Sequence, residues 1–452
     1  MIRSIFNNVI GPVMRGPSSS HTAASVRIGQ MGRALLGEDP VRAIFRFDPT
    51  GSLATTYRGQ GSAMGLAGGL LGMSINDPDL LNSEERALVR GLKIEYLIES
   101  YGATHPNTYK AELKGRSGKE VKFIALSTGG GIIRLIELGG ETVSDDLVYI
   151  NPLMPVKVNN ETQLPFTDMK GLLTLIKQGS SLSSLAKSYE SKVGNITEEE
   201  VLELSSEHYL IMLKSIENGL AGTYYKDRIL QAQSQLIADA EERGKLIPST
   251  LINDILASVT AIMETKSSMG VIVAAPTAGS CATLAGTLIP VARIMGKDEN
   301  DICESILAAG LLGIMIDYGA GFAAEEGGCQ YECGSASGMT AAALVELAGG
   351  TPATALSAAS MALQNTLGMI CDPVADRVEV PCLGKNILAA MNALSAANMA
   401  LAGYNELIPL DEVINSMREV ANNMDHRYRC TCKGGLSITP TAIDLFKSLN
   451  KR

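Results

Sequence analysis

The apolar positions of this chain change period about a third of the way along. Ile28, Met31 and Leu35 fall at i, i+3 and i+7, and Gly37 follows them. That spacing predicts an amphipathic helix closed by glycine. RAIFRFDPTGSLATT reads as a strand, a Pro-Thr-Gly turn and a second strand. In YKAELKGRSGKEVKFIAL, Tyr109, Ala111 and Leu113 alternate with polar residues, RSG turns the chain, and Val121, Phe123 and Ala125 alternate back. This predicts a hairpin. Residues 1–155 are therefore expected to form an α+β domain.

The stretch from Asn151 to Phe166 holds three prolines and little periodicity. It is the expected linker, placed at residues 156–167. From about Asp168 the period turns helical, over Met169–Gln178, Glu198–Ser215, Tyr225–Glu242 and Leu251–Met263. Helices rich in small residues follow, apolar on most faces, as buried helices are. The expected fold is thus an α+β N-terminal domain followed by a mostly α-helical domain over residues 168–452.

Composition narrows the function classes. The 452 residues carry 38 Lys+Arg against 48 Asp+Glu, a net charge of −10. The chain lacks the basic stripe that a phosphate-tracking nucleic-acid binder needs, so no nucleic-acid partner is expected. It has no tryptophan and 7 phenylalanines; alanine, glycine and methionine fill the apolar fraction, which suits close-packed helices. The opening MIRSIFNNVIGPVMRG has no apolar run of signal-peptide length. Ser305–Ile316 is too short to span a membrane, and Asn386–Tyr404 carries Asn392, Ser395 and Asn398. Both read as buried helices, so no membrane partner is expected. A cytoplasmic location follows, and there 8 cysteines point to metal or chemistry rather than disulfides.

Several segments combine unusual backbone with reactive side chains. Cys371 and Cys382 sit in CDP and VPC, beside proline-constrained backbone, whereas Cys303 lies in a helical pattern and reads as core. No C-x-x-C pair occurs, which disfavours a zinc ribbon. In RGPSSSHTAA, Ser18, Ser19 and Ser20 precede a helix that carries His21 and Thr22 on its first turn. A simple N-cap and an anion site at the positive helix end both fit that arrangement. THPNTY places His105 and Asn107 at the hairpin entry. The STGGGIIRL run fits a tight turn better than a phosphate cradle, since it lacks the spacing and lysine of a P-loop. APTAGSCATLAG reads as another helix start.

Taken in order, GPSSSHT, GSLATT, HPN, GGG, APTAGS, GCQ…GSAS, CDPV…VPC and GGL resemble the iron–sulfur-dependent L-serine dehydratases (L-serine ammonia-lyases) in a single-chain form. The resemblance covers most of the chain. It implies a [4Fe–4S] cluster held by Cys329, Cys371 and Cys382, with one iron free to act as a Lewis acid on the substrate hydroxyl. It implies that a protein base, His21 or His105, removes the α-proton of a small amino-acid substrate. Serine would then yield pyruvate and ammonia without pyridoxal phosphate. Ser18, Ser19, Ser20, Thr22, Asn107, Lys385 and Asn386 would orient the substrate. A homodimer that buries the small-residue helices is expected.

The chain departs from the family pattern at four places. Gln60 stands where the family usually has histidine, and glutamine takes up no proton at neutral pH. Lys385 replaces an arginine, a point charge in place of a bidentate fork. Ser337 stands where a further cysteine is usual, while Cys333 is extra. Cys430 and Cys432 fall in RCTCKGG, and either is a candidate fourth cluster ligand. These departures leave open a sister lyase acting on another β-substituted amino or hydroxy acid, or a non-catalytic cluster-containing amino-acid sensor.

Overall fold

A computed structural model describes residues 2–143 and 154–449. The first strand, β1 (Val13–Arg15), pairs antiparallel with β8 (Val271–Val273) far along the chain. The others form one sheet: β2 (Pro40–Phe47), β3 (Lys93–Ile98), β4 (Thr108–Gly115), β5 (Glu120–Ser127), β6 (Ile133–Leu138) and β7 (Glu141–Thr142). Their order is β3-β2-β4-β5-β6-β7, with β2 and β3 parallel and every other pair antiparallel.

Alternation decides which face of this sheet is buried. Ala43, Phe45 and Phe47 of β2, Tyr109, Ala111 and Leu113 of β4, and Phe123 and Ala125 of β5 bury together with Ile28, Met31, Leu66 and Leu70. The last four come from the helices Ala24–Leu36 and Ser62–Leu70. Gly37 closes the first of these in the left-handed region, at φ 78°, a cap glycine reaches without steric cost. The two helices meet backbone to backbone. A Cβ on Gly29 would lie 2.7 Å from the Leu66 carbonyl oxygen.

The rest of the chain is helical, as its periodicity predicts. Helices Met169–Ile176, Leu182–Gly194, Glu198–Leu220 and Thr250–Ser267 lead into the apolar helices Cys281–Met295, Glu299–Gly319, Ser335–Leu347, Pro352–Gln364 and Cys382–Leu401. The N-terminal segment is built into this second core: Ile5, Phe6, Val9, Ile10 and Met14 bury among its helices. Gly310 and Gly313 give the room, since a Cβ on either would run into Ile5 or Val9. Residues 156–167 form no helix or strand, yet Val156 and Phe166 bury in the helical core. Residues 151–153 of the proline-rich stretch lie outside the described residues.

Three local expectations need correction. GSLATT continues not as a strand but as the helix Leu53–Thr56. Asp48 stops the preceding strand by accepting the amides of Thr50, Tyr101, Gly102 and Ala103, and the Thr55 and Thr56 hydroxyls donate back to the Ser52 carbonyl. The helix expected over Tyr225–Glu242 begins only at Ser234. Upstream, the Ile229 and Leu230 amides donate to the buried Glu379 carboxylate and so are taken from any helical ladder. The apolar run at Ser305–Ile316 belongs to a helix of 21 residues, Glu299–Gly319. This helix and Ala278–Met295 are long and apolar enough to cross a membrane, but 78% and 83% of their apolar windows are buried inside the protein.

Candidate active site

The site forms where the helix starts of the C-terminal part meet loops of the sheet-bearing part. Gly328, with φ 70°, turns the chain ahead of Cys329, where a Cβ would strike the Met369 carbonyl. The amide of the neighbouring Gln330 donates to that same carbonyl at 3.0 Å. This backbone bond fastens the Cys329 turn to the segment that carries Cys371. Ligand atoms of Cys329, Glu332 and Cys371 then lie within 4.8 Å of one another. Cys371 is tied in turn to the C-terminal loop, because Cys430 N–H donates to its carbonyl at 3.0 Å and it donates to Tyr428 at 2.8 Å.

Cys382 opens the helix Cys382–Leu401. It stands outside the tight group of Cys329, Glu332 and Cys371 but within electrostatic reach of it. Burial, reinforced by the charge on Cys329, pushes its thiol up to about 12. One turn on, the Asn386 amide donates to the Cys382 carbonyl at 2.9 Å and the Gly279 carbonyl at 2.7 Å, and lies 3.9 Å from Cys333 Sγ. Lys385 donates to the Asp372 carboxylate at 2.7 Å, to the Ile370 carbonyl at 2.6 Å and to Cys329 Sγ at 3.7 Å.

Electrostatics separate the thiols. Hydrogen bonds from Cys333 and Cys371, aided by Lys385, hold Cys329 well below the ordinary thiol range despite its burial. The same contacts push Cys333 and Cys371 up. Cys329 is thus the most acidic thiol of the group. Burial disfavours a charged Lys385, but Cys329, Cys371 and Asp372 outweigh it and hold the ammonium above its usual range. Glu332 accepts the Thr277 hydroxyl at 2.7 Å, and burial beside Cys329 pushes its carboxyl up to about 8.

The sheet-bearing part closes the other side. Ser18 caps the helix start, and its Oγ accepts from His21 N and lies 3.2 Å from His21 Nδ1. His21 Nε2 lies 2.8 Å from Thr56 Oγ1. That hydroxyl already donates to Ser52, so the imidazole proton sits on Nε2. His21 is fully buried, and burial lowers its pKa to about 3, so it is neutral. Ser19 Oγ accepts the Ala278 amide at 3.2 Å, and Thr22 donates to the Gln60 carbonyl at 2.9 Å. Ser20 is buried beside them, and its carbonyl lies 3.5 Å from the Tyr109 hydroxyl. The Gln60 amide lies 3.5 Å from Cys430 Sγ. His105 Nδ1 accepts the Asn107 amide at 3.1 Å, leaving Nε2 to donate to Glu326 at 2.7 Å. A cavity of about 310 Å³ opens beside this pair.

The structure therefore gathers Cys329, Cys371, Lys385 and Asn386 with Cys382 close by; Gln60 reaches this group through Cys430, and His21 and Asn107 meet Glu325. His105 sits further out, on the cavity wall. Cys430 joins the group, while the less buried Cys432 lies 4.0 Å from the Pro373 carbonyl. Sequence reading passed over Glu325 and Glu332. The only signal for them was carboxyl side chains on either side of a cysteine in a glycine-rich stretch, AAEEGGCQYEC.

Buried thiols grouped with a lysine, two carboxyls and a neutral imidazole define a candidate metal site inside a helical enzyme core. Residues 177–437 match the sequence model of the serine dehydratase alpha chain family. The chain is 36% identical over 285 residues to the probable L-serine dehydratase, alpha chain, of Bacillus subtilis, covering 63% of this chain and 95% of that protein. It is 28% identical over 452 residues to the L-serine dehydratase of Streptomyces coelicolor, covering 94% and 96% of the two chains. L-serine dehydratase 2 of Escherichia coli is also 28% identical, over 459 residues, covering 95% and 97%. The chain belongs to the serine dehydratase alpha chain family, and its likeness to the full-length relatives includes the sheet-bearing part.

Proposed function

We infer that this chain is an L-serine dehydratase, a lyase that removes water from a small β-hydroxy amino acid. Loss of the α-proton and the β-hydroxyl from L-serine leaves aminoacrylate, which tautomerises and takes up water to give pyruvate and ammonia. The observation that carries this reading is the convergence of Cys329, Cys371 and Lys385 at one buried point in a member of this family.

The donor set fits an iron–sulfur cluster. It is soft and buried. Cys329, Cys371 and Cys382 would hold a [4Fe–4S] cluster. When bound, the cluster supplies a Lewis acid for the departing hydroxyl. The protein does the rest. Lys385 brings positive charge to the thiolate side, Asn386 fixes the start of the Cys382–Leu401 helix, and the apolar helices exclude water. The Asn107 amide, fully buried with Nδ2 unpartnered, is free to bind substrate. The eight free cysteines suit the reducing cytoplasm, where we place the reaction.

Anaerobically purified protein is expected to contain iron and sulfide and to release pyruvate and ammonia in equal amounts from L-serine. Iron-loaded protein that binds L-serine without releasing pyruvate would overturn the reading in favour of a sensor. Turnover of threonine, cysteine or a hydroxy acid in preference to serine would favour a sister lyase.

A further inference from the structure

Glu325 is a buried carboxyl without a countercharge. It lies on the short helix Ala324–Gly327 and is 4% exposed. Its Oε1 is 3.4 Å from His21 Nδ1, but His21 is neutral and its Nε2 proton is given to Thr56. Its Oε2 has no hydrogen-bond partner. Among the described residues no lysine or arginine is paired with it. The other groups that face it are His105, Glu326, Glu332, Tyr109 and Cys430. Burial accordingly holds the carboxyl above its usual range.

A second orphan lies beside the first. The Asn107 side chain is 0% exposed, its Oδ1 accepts Ser52 Oγ at 2.9 Å, and its Nδ2 is unpartnered. The amide is near enough to Glu325 to offset part of the effect of burial on its carboxyl, yet neither Asn107 Nδ2 nor Glu325 Oε2 has a partner at full hydrogen-bond geometry. Buried polar atoms in native proteins are almost always paired, so two adjacent orphans mark a place where a ligand's polar groups belong. The pair asks for a specific ligand. Glu325 calls for a cationic donor, and Asn107 Nδ2 calls for an acceptor close by. An α-amino acid carries both on neighbouring atoms, an ammonium and a carboxylate. A hydroxy acid lacks the cation.

We propose that Glu325 is the specificity-determining seat for the substrate's α-ammonium group and selects amino acids over hydroxy acids. The inference rests on the dehydratase reading and deepens it, by assigning the charge selection to a residue that only the tertiary structure brings to the site.

The test uses the anaerobically purified holoenzyme and Glu325→Gln, an isosteric neutral variant. Removing one partner of a buried charge pair is costly, so KM for L-serine is expected to rise about 100-fold. kcat, iron and sulfide content should stay within a few-fold, and inhibition by glycerate, which has no ammonium, should not weaken. A purely structural role would not split KM from kcat or spare glycerate binding. Glu325→Asp keeps the charge and should retain serine binding better than E325Q. Should E325Q fail to fold, the wild-type enzyme alone decides, because glycerate is expected to bind about 100-fold more weakly than L-serine. Equal binding of glycerate and serine, or an E325Q KM within about 3-fold of wild type, overturns the proposal. In either case wild-type turnover of serine leaves the dehydratase reading intact. Absence of wild-type turnover sinks that reading whatever E325Q does.

Discussion

The Lys385 ammonium lies 3.7 Å from Cys329 Sγ, while its other two hydrogen bonds run to Asp372 and to the Ile370 carbonyl next to Cys371. One side chain therefore ties together the segments that carry Cys329, Cys371 and Cys382. Its charge also helps to hold the Cys329 thiol below the ordinary range. Replacing Lys385 by methionine should loosen the metal site without unfolding the helix, with iron retention falling about 10- to 100-fold, as is typical when the partner of a metal ligand is lost. Iron and sulfide per chain during chelator challenge measure this. Unchanged retention would show that Lys385 acts only on substrate.

The cysteines divide by position. Cys329→Ser, Cys371→Ser and Cys382→Ser should each bind less than about a tenth of the wild-type iron, because metal affinity depends on the full thiolate set. Cys303→Ser is expected to keep its iron, since Cys303 is buried in the Glu299–Gly319 helix and bonds to Ser205 rather than to the site. Loss of iron in C303S with retention in C382S would displace the site from the one we propose.

Glu190 links the N-terminal segment to pH. Its carboxylate accepts the Ile5 amide at 2.7 Å and the Ser4 hydroxyl. Burial outweighs these bonds and raises its pKa from 4.5 to about 7. The folded state therefore holds this proton more tightly than the unfolded state. The stability it confers is fully present below about pH 4.5 and is lost as pH rises through about 7. The thermal midpoint should fall across that window, and Glu190→Gln should flatten the fall by roughly 3 kcal/mol. A profile of the same slope in E190Q refutes the assignment.

Gly310 and Gly313 face Ile5 and Val9 with no room for a methyl group. Gly313→Ala should destabilise the protein by about 1–3 kcal/mol through overpacking, although alanine is the better helix former. Denaturant unfolding measures the change. A stabilised G313A would mean that the N-terminal segment can move aside at little cost.

Glu379 is buried, pairs with Arg228 at 3.3 Å and accepts the Ile229 and Leu230 amides. Glu379→Ala strands a buried guanidinium and two amides, a loss of about 3–5 kcal/mol. Limited proteolysis should then cut near residues 225–233 first. An unchanged digestion pattern would show that this segment is held by other contacts.

Local pattern made much of the architecture legible. The Tyr109–Leu113 and Val121–Ala125 alternation became β4 and β5, and the Ile28, Met31, Leu35 spacing became the helix that covers them. The reading failed where a distant side chain claimed backbone amides. Asp48 and Glu379 did so, and no periodicity announces it. The cysteine segments stood out because proline and glycine fix their backbones. The carboxyls at Glu325 and Glu332 did not, since a glutamate beside a glycine usually faces water.

The sequence by itself determined the two-part order of sheet then helices and the family, because period, turn residues and ordered motifs are local properties of the chain. Tertiary structure alone decided that Ile5–Met14 belongs to the helical core, that Lys385 stands over Cys329, and that Glu325 and Asn107 share one buried place. These are meetings between residues up to hundreds of positions apart. Their energies come from burial and charge in a shared interior, which exists only once the chain has closed.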